Sequence, residues 1–124
     1  MYTLDTNVVI YYLAKKDEVV YARINAAILN GQALYVSAVS VAELFRYPRL
    51  TEGEAENIRQ FLSVCSIISI DGSIAMRAGE IGRKCGVKLA DSIIAATALF
   101  TGSSLVTRNV RDFKRVPDLT IEPI

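Results

Sequence analysis

The chain has 124 residues, long enough for one domain with its own core and short for two. It is 52% hydrophobic with few aromatics and no tryptophan, apolar enough to anticipate a surface covered by a partner or a second copy. A formal net charge of +1 excludes a strongly basic whole-molecule field, and the lack of any histidine excludes a serine or cysteine triad with an imidazole base.

Residues 2–4 read as a short strand, after which Thr6 or Asn7 caps a helix running from Val8 towards Leu13. A turn at 15–17 leads to a second helix with Val20, Ile24, Ala27 and Ile28 inward, ended by Gly31 in the left-handed conformation. Residues 34–36 form the next strand. A third helix over 37–45, with Pro48 just beyond, and a fourth over 52–64, with Ala55, Ile58, Phe61, Leu62 and Cys65 inward, are expected to make a helical hairpin.

A strand is expected over 67–70. The helix over 73–85 turns Ile74, Ala78, Ile81 and Cys85 inward, Gly79 and Gly82 permit close packing, and Gly86 ends it. From 91 to 100 the helix is apolar nearly all round, as for one packed between a sheet and other helices, and Gly102 closes it. Leu105 and Val106 are a further strand, followed by a polar, basic turn through Asp112 and an edge strand over 119–121 stopped by Pro123.

Strands alternating with helices imply right-handed crossovers, hence an α/β fold: a three-layer α/β/α sandwich around a parallel sheet of four to five strands, with residues 1–124 as one domain. Cys65 and Cys85 lack the paired spacing of a zinc site and read as reduced core residues. No apolar run approaches the ~18 residues of a membrane span, and no basic leader precedes Asp5, so a cytoplasmic location is expected.

In such a sheet the carboxyl ends of the strands share one edge, and acids recur where strand hands over to helix: Asp5, Glu43 and Asp91. Each has an ordinary explanation. Asp5 precedes a helix, Ser40 and Glu43 have the spacing of a capping box, and Asp91 fits a first helical turn. Asp71 also follows an apolar strand, but with Gly72 and Ser73 after it reads as a turn and cap.

Taken together the three acids are harder to explain as caps, because a carboxylate is costly to bury beside a strand and Ser, Thr or Asn would cap as well. Two carboxylates roughly 4 Å apart repel by about 4 kcal/mol at an effective dielectric near 20, so converging acids call for a cation. Without histidine, a hard divalent ion with oxygen ligands, Mg²⁺ or Mn²⁺, is the natural partner.

The segment Thr107-Arg108-Asn109-Val110-Arg111-Asp112-Phe113 ends the last long strand and should reach the same edge. Thr107 is a candidate to orient an acid, Asn109 to position a water, and Asp112 to complete a quartet. Arg108, Arg111, Lys114 and Arg115 are candidates for phosphate contact, which gives affinity without sequence choice; the alternative is a solvated, charged turn.

Four motifs in order, Leu4-Asp5-Thr6-Asn7, the segment from Ser37 to Ala42-Glu43-Leu44, Leu89-Ala90-Asp91 with the following Ile-Ile-Ala-Ala-Thr-Ala, and Val106-Thr107-Arg108-Asn109-Val110-Arg111-Asp112-Phe113, make the chain resemble PIN-domain ribonucleases, in particular VapC toxins of toxin–antitoxin pairs. The resemblance spans essentially the whole chain. It implies a metal-dependent endoribonuclease in which Asp5, Glu43 and Asp91 match the family's catalytic and metal-holding acids. It also implies an RNA substrate and an antitoxin partner, and the apolar excess leads us to expect a homodimer. The family's fourth acid falls at the position of Asn109 in many members and at that of Asp112 in others, so either residue completes the site. A catalytically inactive PIN-like binding or scaffold module is the alternative.

Overall fold

Five short strands and seven helices make up the computed structural model, which describes residues 1–124. In chain order they are β1 (Tyr2–Leu4), α1 (Thr6–Ala14), α2 (Glu18–Leu29), β2 (Leu34–Ser37), α3 (Ala38–Phe45) and α4 (Glu52–Ser63). Then come β3 (Ser66–Ile68), α5 (Gly72–Cys85), α6 (Leu89–Thr101), β4 (Ser104–Thr107), α7 (Val110–Phe113) and β5 (Ile121–Pro123). All strand pairs are parallel, in the order β3-β2-β1-β4-β5.

Alternation along the strands divides the interior in two. Leu4, Val36 and Val106 face a core shared with Val8, Val9, Val20, Ile24, Ile58 and Phe61, while Leu105 faces the other side with Ile74, Ala78, Ile94, Ala95 and Phe113. The sheet is thus covered on both faces, as expected. Full burial of each Leu, Ile, Val or Phe contributes about 1.5–3 kcal/mol, so both layers are needed. Helix α6 is rich in alanine where it is buried, which lets it lie close to the sheet and make its most extensive helix pairing with α5.

Several local expectations change. Helix α1 begins at Thr6, so Asp5 rather than Thr6 or Asn7 is its N-cap residue. The expected hairpin is loose: α3 packs chiefly on α1, α6 and β2, and α4 on β3, with Leu44 and Ile58 meeting in the shared core. Strand β3 ends at Ile68, leaving Ile70 outside the sheet and exposed, because an edge strand with one neighbour has little to extend it.

The segment after β4 contains the short helix α7 where a turn was expected, and β5 pairs over Ile121–Pro123, two residues later than anticipated. Asp71 caps α5 by accepting from Ile74 N at 2.8 Å, as its turn context implied. Gly79 faces open space and a Cβ on Gly82 would sit at ordinary contact distance from Ser92 Oγ, so helix packing requires neither glycine. Cys65 and Cys85 are free and partly buried at the margins of the two cores, and burial pushes the Cys65 thiol up to about 12. No helix is long and apolar enough to cross a membrane.

The chain steps from β1 outward through β2 to β3, then returns across α5 and α6 to place β4 on the opposite side of β1. The order of winding therefore reverses between β1 and β4. Beyond the carboxyl ends of such a pair the flanking connections diverge and leave a crevice.

Candidate active site at the switch point

Asp5 and Thr107 lie one residue beyond the paired Leu4 and Val106, so they end the two strands between which the winding reverses. Asp5 N donates to Val106 O at 3.1 Å, which extends the ladder to the acid itself. Thr107 Oγ1 donates to Asp5 Oδ2 at 2.7 Å and accepts from Asn109 N at 2.9 Å. Both Asp5 and Thr107 are buried. Although Asp5 occupies the N-cap position of α1, its carboxylate makes no cap hydrogen bond, so the capping explanation fails for it.

It fails for Glu43 as well. The cap of α3 is Ser37, whose hydroxyl accepts from Val39 N, and this places Ser40 and Glu43 inside the helix. A genuine capping box forms elsewhere, between Thr51 and Glu54. Glu43 instead meets α1: Thr6 Oγ1 lies 2.8 Å from Glu43 Oε1 and 2.7 Å from Ser40 Oγ. Asp91 is in the first turn of α6, whose cap residue Lys88 offers no side-chain hydrogen bond.

Electrostatics tie these acids into one group. Burial raises the pKa of Asp5, opposed by the bonds from Thr107 and the Thr6 backbone N–H, with the charge of Glu43 adding to the rise. The pKa of Asp91 is raised by burial, then by Asp5, Glu43 and Asp112 together, with Lys88 opposing. No salt bridge engages Asp5, Glu43 or Asp91. The three share a field without being clenched into a ready-made cage, since no three such side chains stand in coordination geometry.

Asp112 borders the group under different conditions. Asn109 Nδ2 donates to its Oδ2 at 3.0 Å, and Arg111 and Arg115 lie 3.5 and 3.6 Å from Oδ1. The Asn109 bond first, then the two arginines, lower its pKa. The alternatives at the fourth position are thus a bonded pair, with the amide holding the acid.

The basic segment divides. Arg108 turns away from the acids: it pairs with Asp17, lies 5.2 Å over the Tyr11 ring and donates from Nε to Ile124 O at 3.3 Å. Its guanidinium serves the scaffold, which weakens its candidacy for phosphate contact. Arg111 and Lys114 are exposed, and Lys114 has no ion pair. Sequence reasoning missed Thr6 and Ser40. The only available signal was a hydroxyl beside Asp5, and it was assigned to capping.

A donor set made only of carboxylates, amide and hydroxyl oxygens, desolvated and without a protein cation at its centre, fits a hard divalent ion. Comparison with known proteins points the same way. The PIN domain model matches residues 2–119. Ribonuclease VapC2 of Haemophilus influenzae is 34% identical, covering 98% of this chain and 96% of that protein. The tRNA(fMet)-specific endonuclease VapC of Salmonella typhimurium is 28% identical over the same shares. Among solved structures, VapBC2 from Rickettsia felis bound to a DNA fragment from their promoter superposes with a TM-score of 0.84 at 26% identity, covering 99% of this chain and 98% of that one. With a family match over nearly its whole length and a ribonuclease relative 34% identical across it, the chain belongs to the PIN-domain family, among the VapC ribonucleases.

Proposed function

We propose that residues 1–124 form one PIN domain that acts as a metal-dependent endoribonuclease, hydrolysing phosphodiester bonds in RNA as the toxin of a toxin–antitoxin pair. The observation that carries this is the buried Asp5 at the switch point, held by Thr107 and sharing its field with Glu43 and Asp91 while no salt bridge balances any of them.

Asp5 and Asp91 would hold Mg²⁺ or Mn²⁺, with Glu43 joining them or orienting the attacking water. A bound ion of this kind neutralises charge on phosphoryl oxygens and makes water a better nucleophile near neutral pH. Thr107 fixes one Asp5 oxygen and leaves the other without a side-chain hydrogen bond. Asn109 keeps Asp112 at the rim as the fourth acid. Lys114, exposed at that rim, is suited to RNA phosphates, and Arg111 and Arg115 divide their charge between that task and Asp112.

The relatives named above are ribonucleases, and solved neighbours from Rickettsia felis and Salmonella typhimurium are VapBC complexes, which supports an antitoxin partner for this chain. A homodimer and a cytoplasmic location belong to the same reading. The inactive-module alternative drew its weight from Asn109, and that residue holds an acid in place rather than replacing one.

Incubating the purified protein with tRNA and Mn²⁺ or Mg²⁺ tests the proposal. Cleavage that EDTA abolishes, and that Asp5→Asn abolishes in folded protein, is expected. Intact RNA under all metal conditions would favour the module.

A further inference from the structure

We infer that Thr6, supported by Ser40, is a positioning residue that sets the Glu43 carboxylate for the reaction proposed above, on which this inference rests. Thr6 occupies the first position of α1 and is buried, as Ser40 is in α3. Its hydroxyl lies 2.8 Å from Glu43 Oε1 and 2.7 Å from Ser40 Oγ. Thr6 Oγ1 is the donor in both contacts and carries one proton, which goes chiefly to the Glu43 carboxylate as the stronger acceptor, with Ser40 Oγ as the second, neutral acceptor holding the same hydroxyl.

Packing does not call for these hydroxyls. Valine has nearly the shape of threonine and would fill the same buried space with no polar group to satisfy. What the hydroxyl adds is a fixed point for a long, otherwise free side chain. Thr6 is β-branched and stiff at χ1, and it stands on the helix that starts from Asp5, so the Glu43 carboxylate is referenced to Asp5 through a single residue. Thr6 follows Asp5 directly in the chain and its side chain bonds Glu43, so one residue links the two acids across different elements. Thr107 does the equivalent for Asp5 from the other strand, and the two threonines bracket the site.

The test is cleavage of a 5′-labelled stem-loop RNA with Mn²⁺ by the wild type, Thr6→Val, Thr6→Ser and Ser40→Ala. Melting temperatures and RNA affinity in EDTA, by fluorescence anisotropy, are read in parallel. Thr6→Val is expected to lower kcat by roughly 10–100-fold, the scale for groups that orient metal ligands, with KM and metal-free RNA affinity unchanged. Thr6→Ser, which keeps the hydroxyl, should restore most of the turnover, and Ser40→Ala should show a smaller loss of kcat alone.

Wild-type turnover in Thr6→Val, equal damage in Thr6→Val and Thr6→Ser, or a loss confined to RNA affinity would each overturn the inference. Should Thr6→Val fail to fold, Ser40→Ala carries the test, and unchanged turnover there overturns it. A wild type that cuts no RNA with either metal would overturn the functional proposal and this inference together; a wild type that cuts, matched by Thr6→Val, overturns this inference alone.

Discussion

The two edges of the sheet treat buried polar groups in opposite ways. At the edge where the strands begin, Thr3, Thr101 and Ser103 bond one another, with Thr3 Oγ1 2.6 Å from Ser103 Oγ and Thr101 Oγ1 2.8 Å from it. These are neutral groups, mutually satisfied, and both Thr3 and Ser103 are buried. At the edge where the strands end, threonine hydroxyls serve carboxylates instead, and Asp5 and Asp91 remain desolvated and unpaired by any cation. Hydroxyl networks suffice to close a sheet edge. Charges kept beyond that requirement are what the proposed metal site would explain.

The largest effect expected from this contrast is on turnover. Asp5→Asn and Asp91→Asn should each lower RNA cleavage by more than about 100-fold, the scale of groups acting directly at a reaction centre. The metal-free Asp5→Asn protein should melt no lower than wild type, because the substitution removes a buried charge and its repulsion. Retained cleavage in both variants, by gel assay, would erase the distinction between the edges.

Next in size is the response to metal. At 100 times its Kd, Mn²⁺ should stabilise the wild type by about 2.7 kcal/mol, read as a rise in melting temperature that Asp5→Asn greatly reduces. At the hydroxyl edge, Thr3→Val should cost about 1 kcal/mol in urea unfolding, since Ser103 and Thr101 still pair, and should leave cleavage within about twofold. Asp71→Ala, which removes the cap of α5, should cost about 1 kcal/mol with cleavage likewise unchanged.

The smallest effect is in pH. Asp5 and Asp91 have raised pKa values, so the folded state holds their protons more tightly than the unfolded state does. Their contribution to metal-free stability is therefore complete below the ordinary carboxylate value of about 3.9 and is lost as pH rises through the raised values. Asp17, Glu54, Glu80 and Asp112 have lowered values and act in the opposite sense, losing their contribution only as pH falls below the ordinary range. Metal-free protein should thus melt higher in mild acid than at neutral pH, and Asp5→Asn should flatten that rise.

The layers of the fold were legible because apolar alternation and helical stripes leave strong marks: β1 and the inward faces of α2 and α5 lie where the pattern places them. What failed was local. The tail through Pro123 reads equally well two residues earlier, and the charged run of α7 hides Phe113, which is fully buried and anchors that short helix.

The site was legible as acids at strand ends, a consequence of chain topology. Side-chain direction was not. Charge spacing could not reveal that Arg108 turns to Asp17 and Tyr11, and capping rules assigned Thr6 and the Ser40–Glu43 pair to helix termini that lie elsewhere. In each case a local rule gave way to a partner on another element.

Anomalous diffraction from crystals soaked in Mn²⁺ tests the central claim most directly. A single dominant peak touching the Asp5 and Asp91 carboxylates, with Glu43 beside it, is predicted. Manganese scattered over exposed acids such as Glu52 or Glu56, with no density at Asp5, would contradict the account.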